Sequence, residues 1–302
     1  MTFWLRPAFA LRVVNRFQRV VGFDRSMALA SSALTALVPL AVLGAGLLSQ
    51  TGTKGVADRL IDRYGLSGGG AEAVRQLFSP GATTSTGLDV VGTVFLTISV
   101  LSFTRAAQRL FEQTWELRPL SVRNTPNGLR WVLGLATYLL LTGWIRILLG
   151  RGRFELGASL CAAPLTAVFL VWSGRVLSAK RIDRRSLLAF GALSAVLTTA
   201  YSVGATVYLP RLFSSYATRY GPVGAVFAMI SAFFGVMLVM VGSAALGREV
   251  DDELGRIRRG DRPPDDEVRR QWHNVVTQMR SRWRSARVQI SSRRDDDDPV
   301  PP

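Results

Sequence analysis

The residue types that usually carry out enzyme chemistry are sparse in this chain of 302 residues. It contains one histidine, His273, and one cysteine, Cys161. Nucleophilic catalysis needs a nucleophile beside a base, and a zinc site needs several nitrogen or sulfur ligands. The acidic residues of the apolar part are scattered and form no paired-acid motif. We therefore expect no catalytic residues, no metal and no cofactor, and a protein that is not an enzyme.

One group of basic, amide and aromatic residues could instead bind an anion. Two of its arginines are one helical turn apart and share a helix face. Guanidinium groups form paired hydrogen bonds with phosphate and carboxylate oxygens, so the group is a candidate site for a lipid phosphate or an anionic substrate. The alternative is that these arginines only anchor the chain at a membrane surface. The group comprises Arg105, Gln108, Arg109, Trp115 and Arg118, joined by Arg175 and Arg181 from a later loop.

Hydroxyl side chains and prolines recur inside the apolar stretches of the chain. Thr93 and Thr97 lie in one stretch and Tyr201 lies in another, whereas Pro39 and Pro222 interrupt or bound two more. In membrane helices such residues permit kinks and half-helices that can frame a substrate site. The alternative is tight helix packing through small residues and interhelical hydrogen bonds.

These candidate residues lie in or beside six long stretches that contain no charged residue. Each stretch can supply the roughly 20 mainly apolar residues that a helix needs to cross a bilayer core of about 30 Å. No strand pattern is present. We therefore predict an all-α, polytopic integral membrane protein with six transmembrane helices, loops between them and additional amphipathic interfacial helices. The stretches are Ser26–Thr53, Val90–Thr104, Trp131–Ile145, Leu156–Gly174, Ser186–Pro210 and Tyr220–Gly247.

Two of these stretches are short and must be extended across a charge. The second then includes Asp89 and the third includes Arg146. Each charge either snorkels to the nearby interface or is a buried functional charge.

The distribution of charge predicts the orientation. The net charge of +16 comes almost entirely from segments that flank the apolar stretches, so a nucleic-acid-binding surface is not expected. The N-terminus, alternate loops and the tail hold 28 of the 37 Lys and Arg residues. Because positive residues favour the cytoplasmic side, both termini should be cytoplasmic. We expect no cleavable signal peptide, since the first apolar stretch lacks a clear cleavage site.

The same patterns divide the chain into segments. Residues 1–25 are predicted to form a cytoplasmic amphipathic helix, and residues 26–247 the six-helix transmembrane domain, with a helical outer loop at 50–83. Residues 248–290 should form a cytoplasmic amphipathic tail helix. Residues 291–302 are rich in aspartate and are predicted to be disordered.

Three stretches of the sequence resemble the YihY/BrkB family of bacterial inner-membrane proteins. Ser26–Leu40 resembles the first span of that family, and Ala107–Phe111 with Trp115 resembles its Gln-Arg…Trp stretch after span two. Tyr216 with Tyr220–Ala225 resembles its Tyr-Gly turn into the last span. The resemblance runs from about residue 12 to residue 249.

The resemblance adds two tyrosines, Tyr216 and Tyr220, to the substrate-binding candidates and Gly221 to the structural ones. It implies a plasma-membrane protein of six helices that transports a substrate or handles envelope lipids. An older label of the family, a tRNA-processing ribonuclease, does not suit these residues. The chain also departs from the family pattern, with Ser31-Ser32 in place of an aromatic pair, Phe111-Glu112 where an Asn is usual, and Ala244 or Ala245 in place of an acidic residue.

The leading functional hypothesis is a transporter or flippase-like permease for an envelope lipid or an anionic small molecule. It would be a multi-pass protein of the bacterial plasma (inner) membrane, with membrane lipids as partners and no nucleic acid. The alternative is a non-transporting scaffold that recruits cytosolic partners through its C-terminal helix. A homo-oligomer or a cytosolic partner bound through the tail is compatible with either hypothesis.

Overall fold

The computed structural model describes residues 7–49, 58, 61–62, 68–78, 86–120, 125–149, 155–261, 266, 268–277 and 280–281. These residues are helical apart from short turns, which confirms the all-α prediction for this part of the chain. Residues 268–277 form the last described helical stretch. The helices before it are α1 (Pro7–Arg19), α2 (Gly22–Ser49), α3 (Gly68–Phe78), α4 (Thr86–Thr114), α5 (Thr125–Leu149), α6 (Glu155–Leu177), α7 (Arg184–Gly221) and α8 (Val223–Arg259).

Helices α7 and α8 follow one another without a loop, separated by a kink at Gly221. The φ of 58° and ψ of −139° of this residue lie outside the helical region, in a conformation that glycine adopts at little cost. The sequence predicted a loop between Pro210 and Tyr220. That prediction was wrong, because these residues continue α7. Leu209 and Phe213 are buried on either side of the proline, so packing of this helix face offsets the hydrogen bond that the proline removes.

Three helices in the described part of the chain are long and apolar enough to cross a membrane: Thr125–Ile145, Arg184–Gly221 and Val223–Arg259. Large apolar side chains on these helices point away from the protein interior. Leu140 and Trp144 on α5, for example, are 68% and 67% exposed. Soluble proteins rarely expose extended apolar surface, whereas a lipid-facing helix must do so. These surfaces therefore suit contact with lipid.

The chain forms two compact units, and the larger one spans Gly22–Arg248. Within it, α2 packs against α4 and α5 packs against α6. A buried core draws its residues from the segment that contains α3, from α7 and from the start of α8. Its members are Ile61, Ala71, Val74, Ala205, Leu209, Phe213, Ala217, Ala225, Ala228 and Met229.

Small residues allow α7 and α8 to approach each other closely. A Cβ on Gly247 would lie 2.5 Å from the Cα of Phe190, which is closer than real Cβ contacts come. The buried Ser194 and Ser243 side chains, one on each helix, are joined by a hydrogen bond of 2.7 Å between their hydroxyl oxygens. Small residues in these two helices thus serve close helix packing.

The smaller unit consists of Met1–Val21 and Glu249–Pro302. Its described part holds α1, the last turns of α8 and the helical residues 268–277. Within this unit, the side-chain amide nitrogen of Asn15 donates to Gln271 Oε1 at 2.7 Å. Helix α1 and the helical residues 268–277 are therefore in direct contact.

Candidate functional site

The C-terminal end of α4 is organised around Glu112, a residue that is only 3% exposed. Its Oε1 accepts hydrogen bonds of 2.8 Å from Gln108 Nε2 and from the backbone N–H of Leu120. Arg181 completes the group, with Nη2 3.4 Å from the same oxygen and Nη1 donating to the carbonyl oxygen of Arg118 at 2.7 Å. Because a buried carboxylate needs such partners, Glu112 joins α4 to the chain that follows it and to the segment before α7.

Trp115, directly after α4, lies in a buried aromatic group. Its ring centroid is 5.8 Å from that of Phe111 and 5.9 Å from that of Phe190, and the last two rings meet edge to face at 5.4 Å. The indole Nε1 donates to Ser186 Oγ at 2.9 Å. Both the ring and the polar atom are thus used in packing α4 against α7, which supports a positioning role for this predicted substrate-binding residue.

The predicted anion-binding group is divided by these contacts. Gln108 and Arg181 are engaged with Glu112, whereas Arg105 and Arg109 are exposed side by side on α4, as their spacing predicts. Among the residues that the structure describes, none forms an ion pair or a hydrogen bond with the side chain of either exposed arginine. These two arginines remain the cationic surface of the site.

A third arginine, Arg25, adds to this surface. It lies in the first turn of α2, the helix that packs against α4, and just before the first predicted span. Burial, and secondly the like charge of Arg109, lower the pKa of Arg25. Its Nε is buried and has no hydrogen-bond partner within the described part of the chain. Arg25 lies in a basic segment that flanks an apolar stretch, and such a position by itself suggests only membrane anchoring. The sequence pattern therefore did not identify Arg25 as a site residue.

The three tyrosine candidates lie elsewhere on α7. The hydroxyl of Tyr201 donates to the carbonyl oxygen of Ala232 at 2.8 Å, and its ring fills the space above Gly235. The rings of Tyr216 and Tyr220 are 6.3 Å apart at the kink. At 1.5 Å per residue, the kink is roughly 50 Å along α7 from the end of the helix that contacts Trp115. The structure therefore does not bring these tyrosines together with the arginines.

The remaining candidates are only partly described. Thr97 is exposed on α4, while the side chains of Thr93, Pro39 and Pro222 lie outside the described residues, as does that of Cys161. The backbone of all five is helical.

A second polar surface lies on α7, in the segment that was predicted to be a loop. It is a shallow, open cleft of about 540 Å³ that combines two exposed arginines with three hydroxyl side chains. Because helix geometry brings residues four apart onto one face, the cleft could be found only once the segment was known to be helical. Its lining residues are Pro210, Arg211, Ser214, Ser215, Thr218 and Arg219.

The smaller unit contains a buried ionic network. Nε and Nη2 of Arg12 pair with Glu249 Oε1 and Glu253 Oε2, both at 2.7 Å. Arg16 pairs with Glu249 Oε2 at 3.1 Å and with Asp252 Oδ2 at 2.7 Å. The arginines are four residues apart and so are the two glutamates, so each pair shares one face of its helix. Which helices pack together is not visible in that spacing, so the pairing required the structure. The network borders a cleft of about 210 Å³.

No group of three or more His, Cys, Asp or Glu side chains within the described ranges could hold a metal ion. The long apolar helices and their exposed apolar surface define the class of the molecule as a helical membrane protein.

The comparisons with known proteins agree with this class. A family model described as "Virulence factor BrkB" matches residues 13–265, so the chain belongs to that family. It is similar to a "UPF0761 membrane protein" of Alkalilimnicola ehrlichii, with 26% identity over 262 residues, which is 80% of this chain and 58% of the relative. The chain thus spans a little over half the length of this curated relative. No solved structure matches it.

Proposed function

We propose that this membrane protein is a transporter or flippase-like permease for an envelope lipid or an anionic small molecule, and that it is not an enzyme. The observation that carries the proposal is the pair of exposed arginines, Arg105 and Arg109, which have no ion-pair partner among the described residues. Such a surface attracts lipid phosphates and other anions. The arginine- and hydroxyl-lined cleft on α7 supports the proposal, because it offers an anion a second favourable surface on a different helix.

The proposed topology has six transmembrane helices, α2 and α4 to α8, in the bacterial plasma membrane. The six helices are 23 to 38 residues long, and each exceeds the roughly 20 residues that a bilayer core requires. An even number of spans places both termini on one side, and the arginine distribution favours the cytoplasm. The basic, apolar helix α1 suits the inner interface.

Reconstitution of the purified protein into vesicles tests transport. We expect a labelled anionic phospholipid or a labelled anionic solute to cross these vesicles faster than protein-free ones. Combined Arg105→Ala and Arg109→Ala substitutions should slow that movement at least tenfold. Arg130→Ala, an exposed arginine near the start of α5, is the matched control and should leave the rate unchanged. Rates equal to those of empty vesicles, or a double variant as fast as the natural protein, would contradict the proposal.

The alternative function is a non-transporting scaffold that recruits cytosolic partners through the tail, or that pairs with a second copy. One observation favours it: Trp272, on the helical residues 268–277, is 57% exposed, although tryptophan is usually well covered. Trp272→Ala in the full chain separates the two functions. A scaffold should lose its cellular role with this variant, whereas a permease should keep both its cellular role and its transport rate.

A further inference from the structure

We infer that Arg25 and Arg109 together bind one phosphate group between the start of α2 and the end of α4. This inference rests on the proposed function and names the chemical group that the site recognises.

The first step concerns the missing acceptor. Nε of Arg25 is buried, and no described residue accepts a hydrogen bond from it. A buried N–H of a charged group loses its water and is costly unless an acceptor replaces that water. The neighbouring Leu29 on α2 and Leu110 on α4 are buried and apolar and provide no acceptor. Arg25 as a whole is only half-buried, so its guanidinium can take an acceptor from outside the chain.

The second step concerns charge. Arg25 and Arg109 lie on two helices that pack together, close enough for their like charges to repel. The carboxylate nearest to Arg25 in sequence, Asp24, is exposed and forms no described ion pair with it. Two adjacent cations with no described counter-ion are stabilised by a bound anion.

The third step selects the kind of anion. Each guanidinium presents five N–H donors in a planar fork that matches two oxygens of a carboxylate or phosphate. A carboxylate has two oxygens, which a single fork can occupy. A phosphate monoester has three free oxygens that can accept from two forks at once, and its charge of about −2 can neutralise both arginines. The pair therefore favours phosphate over carboxylate.

Such a phosphate could come from a lipid headgroup or from a soluble phosphorylated compound. The chemistry is the same in both cases, so the experiment must separate the sources. Native mass spectrometry of the full chain in detergent can count bound phosphatidic acid and, as a phosphate-free lipid with similar chains, monogalactosyl diacylglycerol. Glycerol 3-phosphate at millimolar concentration is the soluble competitor.

We expect the natural protein to retain phosphatidic acid and not the galactolipid. Arg25→Gln and Arg109→Gln should each weaken retention at least tenfold, and Arg25→Lys should weaken it less because the charge remains. Arg130→Gln is the matched control and should bind as the natural protein does. Displacement of the lipid by glycerol 3-phosphate assigns the site to soluble phosphates, whereas retention assigns it to lipid headgroups. Both results support the inference, and equal retention by all the variants would overturn it.

Thermal melting of the same proteins gives a readout that a purely structural arginine would not produce. In galactolipid, Arg25→Gln should melt at the same temperature as the natural protein or higher, because it removes a half-buried charge with no counter-ion among the described residues. In phosphatidic acid the order should reverse. An equal loss of melting temperature in both lipids would show a structural role only and overturn the inference. If Arg25→Gln does not fold, the exposed Arg109→Gln still provides the test.

Binding and transport are measured separately, so the two proposals fail separately. Arginine-dependent phosphate binding without any transport would overturn the proposed function alone. Transport without arginine-dependent phosphate binding would overturn this inference alone.

Discussion

Glu112 shows how a single buried side chain can organise the C-terminal end of α4. Its carboxylate accepts from a side-chain amide, from a backbone N–H and from a guanidinium, all through one oxygen. These three donors belong to α4, to the chain after α4 and to the segment that precedes α7. Loss of the carboxylate would leave Arg181 and Leu120 without this acceptor. A buried donor left without an acceptor destabilises the folded protein by more than its hydrogen bond stabilises it.

We therefore predict that Glu112→Ala lowers the free energy of unfolding by about 3 kcal/mol, since it breaks a largely buried ion pair. Glu112→Gln should cost about half as much, because the amide oxygen can still accept from Leu120. Denaturant unfolding in detergent measures both changes. The exposed neighbour Gln113→Ala should change stability by less than about 0.5 kcal/mol. A Glu112→Ala protein as stable as the Gln113→Ala control would refute this role.

At the scale of the helices, the contact between α7 and α8 depends on the absence of side chains at particular positions. Gly247 lies against the backbone of Phe190, whereas Gly242 in the same helix has open space around its Cα. The two glycines therefore provide an internal comparison of packing against helix propensity.

We predict opposite effects for alanine at these two positions. Gly247→Ala should destabilise the protein by about 2 kcal/mol, because the new methyl group meets backbone that cannot move aside cheaply. Gly242→Ala should be neutral or stabilise by up to about 1 kcal/mol through its better helix propensity. Thermal and denaturant unfolding of both variants would measure the difference. Equal effects would mean that close approach of the helices does not matter here.

Much of the helical architecture could be predicted because uncharged stretches of this length have few alternatives to helix. Each of the six stretches overlaps a helix of the structure. The segment after Pro210 could not be predicted in this way, since proline and two arginines indicate a loop locally. The helix continues there because Phe213 and Ala217 extend its buried face, and such tertiary packing is not visible in the local sequence.

The candidate site was less predictable than the helices. The shared face of Arg105 and Arg109 follows from their spacing alone. The engagement of Arg181 by Glu112 and the proximity of Arg25 to Arg109 depend on which helices pack together. Spacing within one segment carries no information on such contacts, so these residues required the structure.

At the scale of the whole molecule, the proposed topology makes a prediction about access from the two sides of the membrane. In a Cys161→Ser background, Thr218→Cys should react with a membrane-impermeant maleimide added to intact cells, because α7 should reach the outer side there. Gln113→Cys should react only after the cells are made permeable. Both positions are exposed in the structure, so burial would not explain a difference. Labelling of both from the same side would contradict the six-span topology.

The ionic network of the smaller unit also has a consequence for biosynthesis. Arg12 and its partners Glu249 and Glu253 are 237 and 241 residues apart in the chain. A ribosome completes α1 early, but the two glutamates leave it only after every proposed span has been made. The salt bridges can therefore close only once Glu249 and Glu253 have been made, when all six proposed spans are available for insertion. Pairing of α1 with the last turns of α8 thus marks a chain that has completed the six proposed spans, and a chain that stops before Glu249 lacks it.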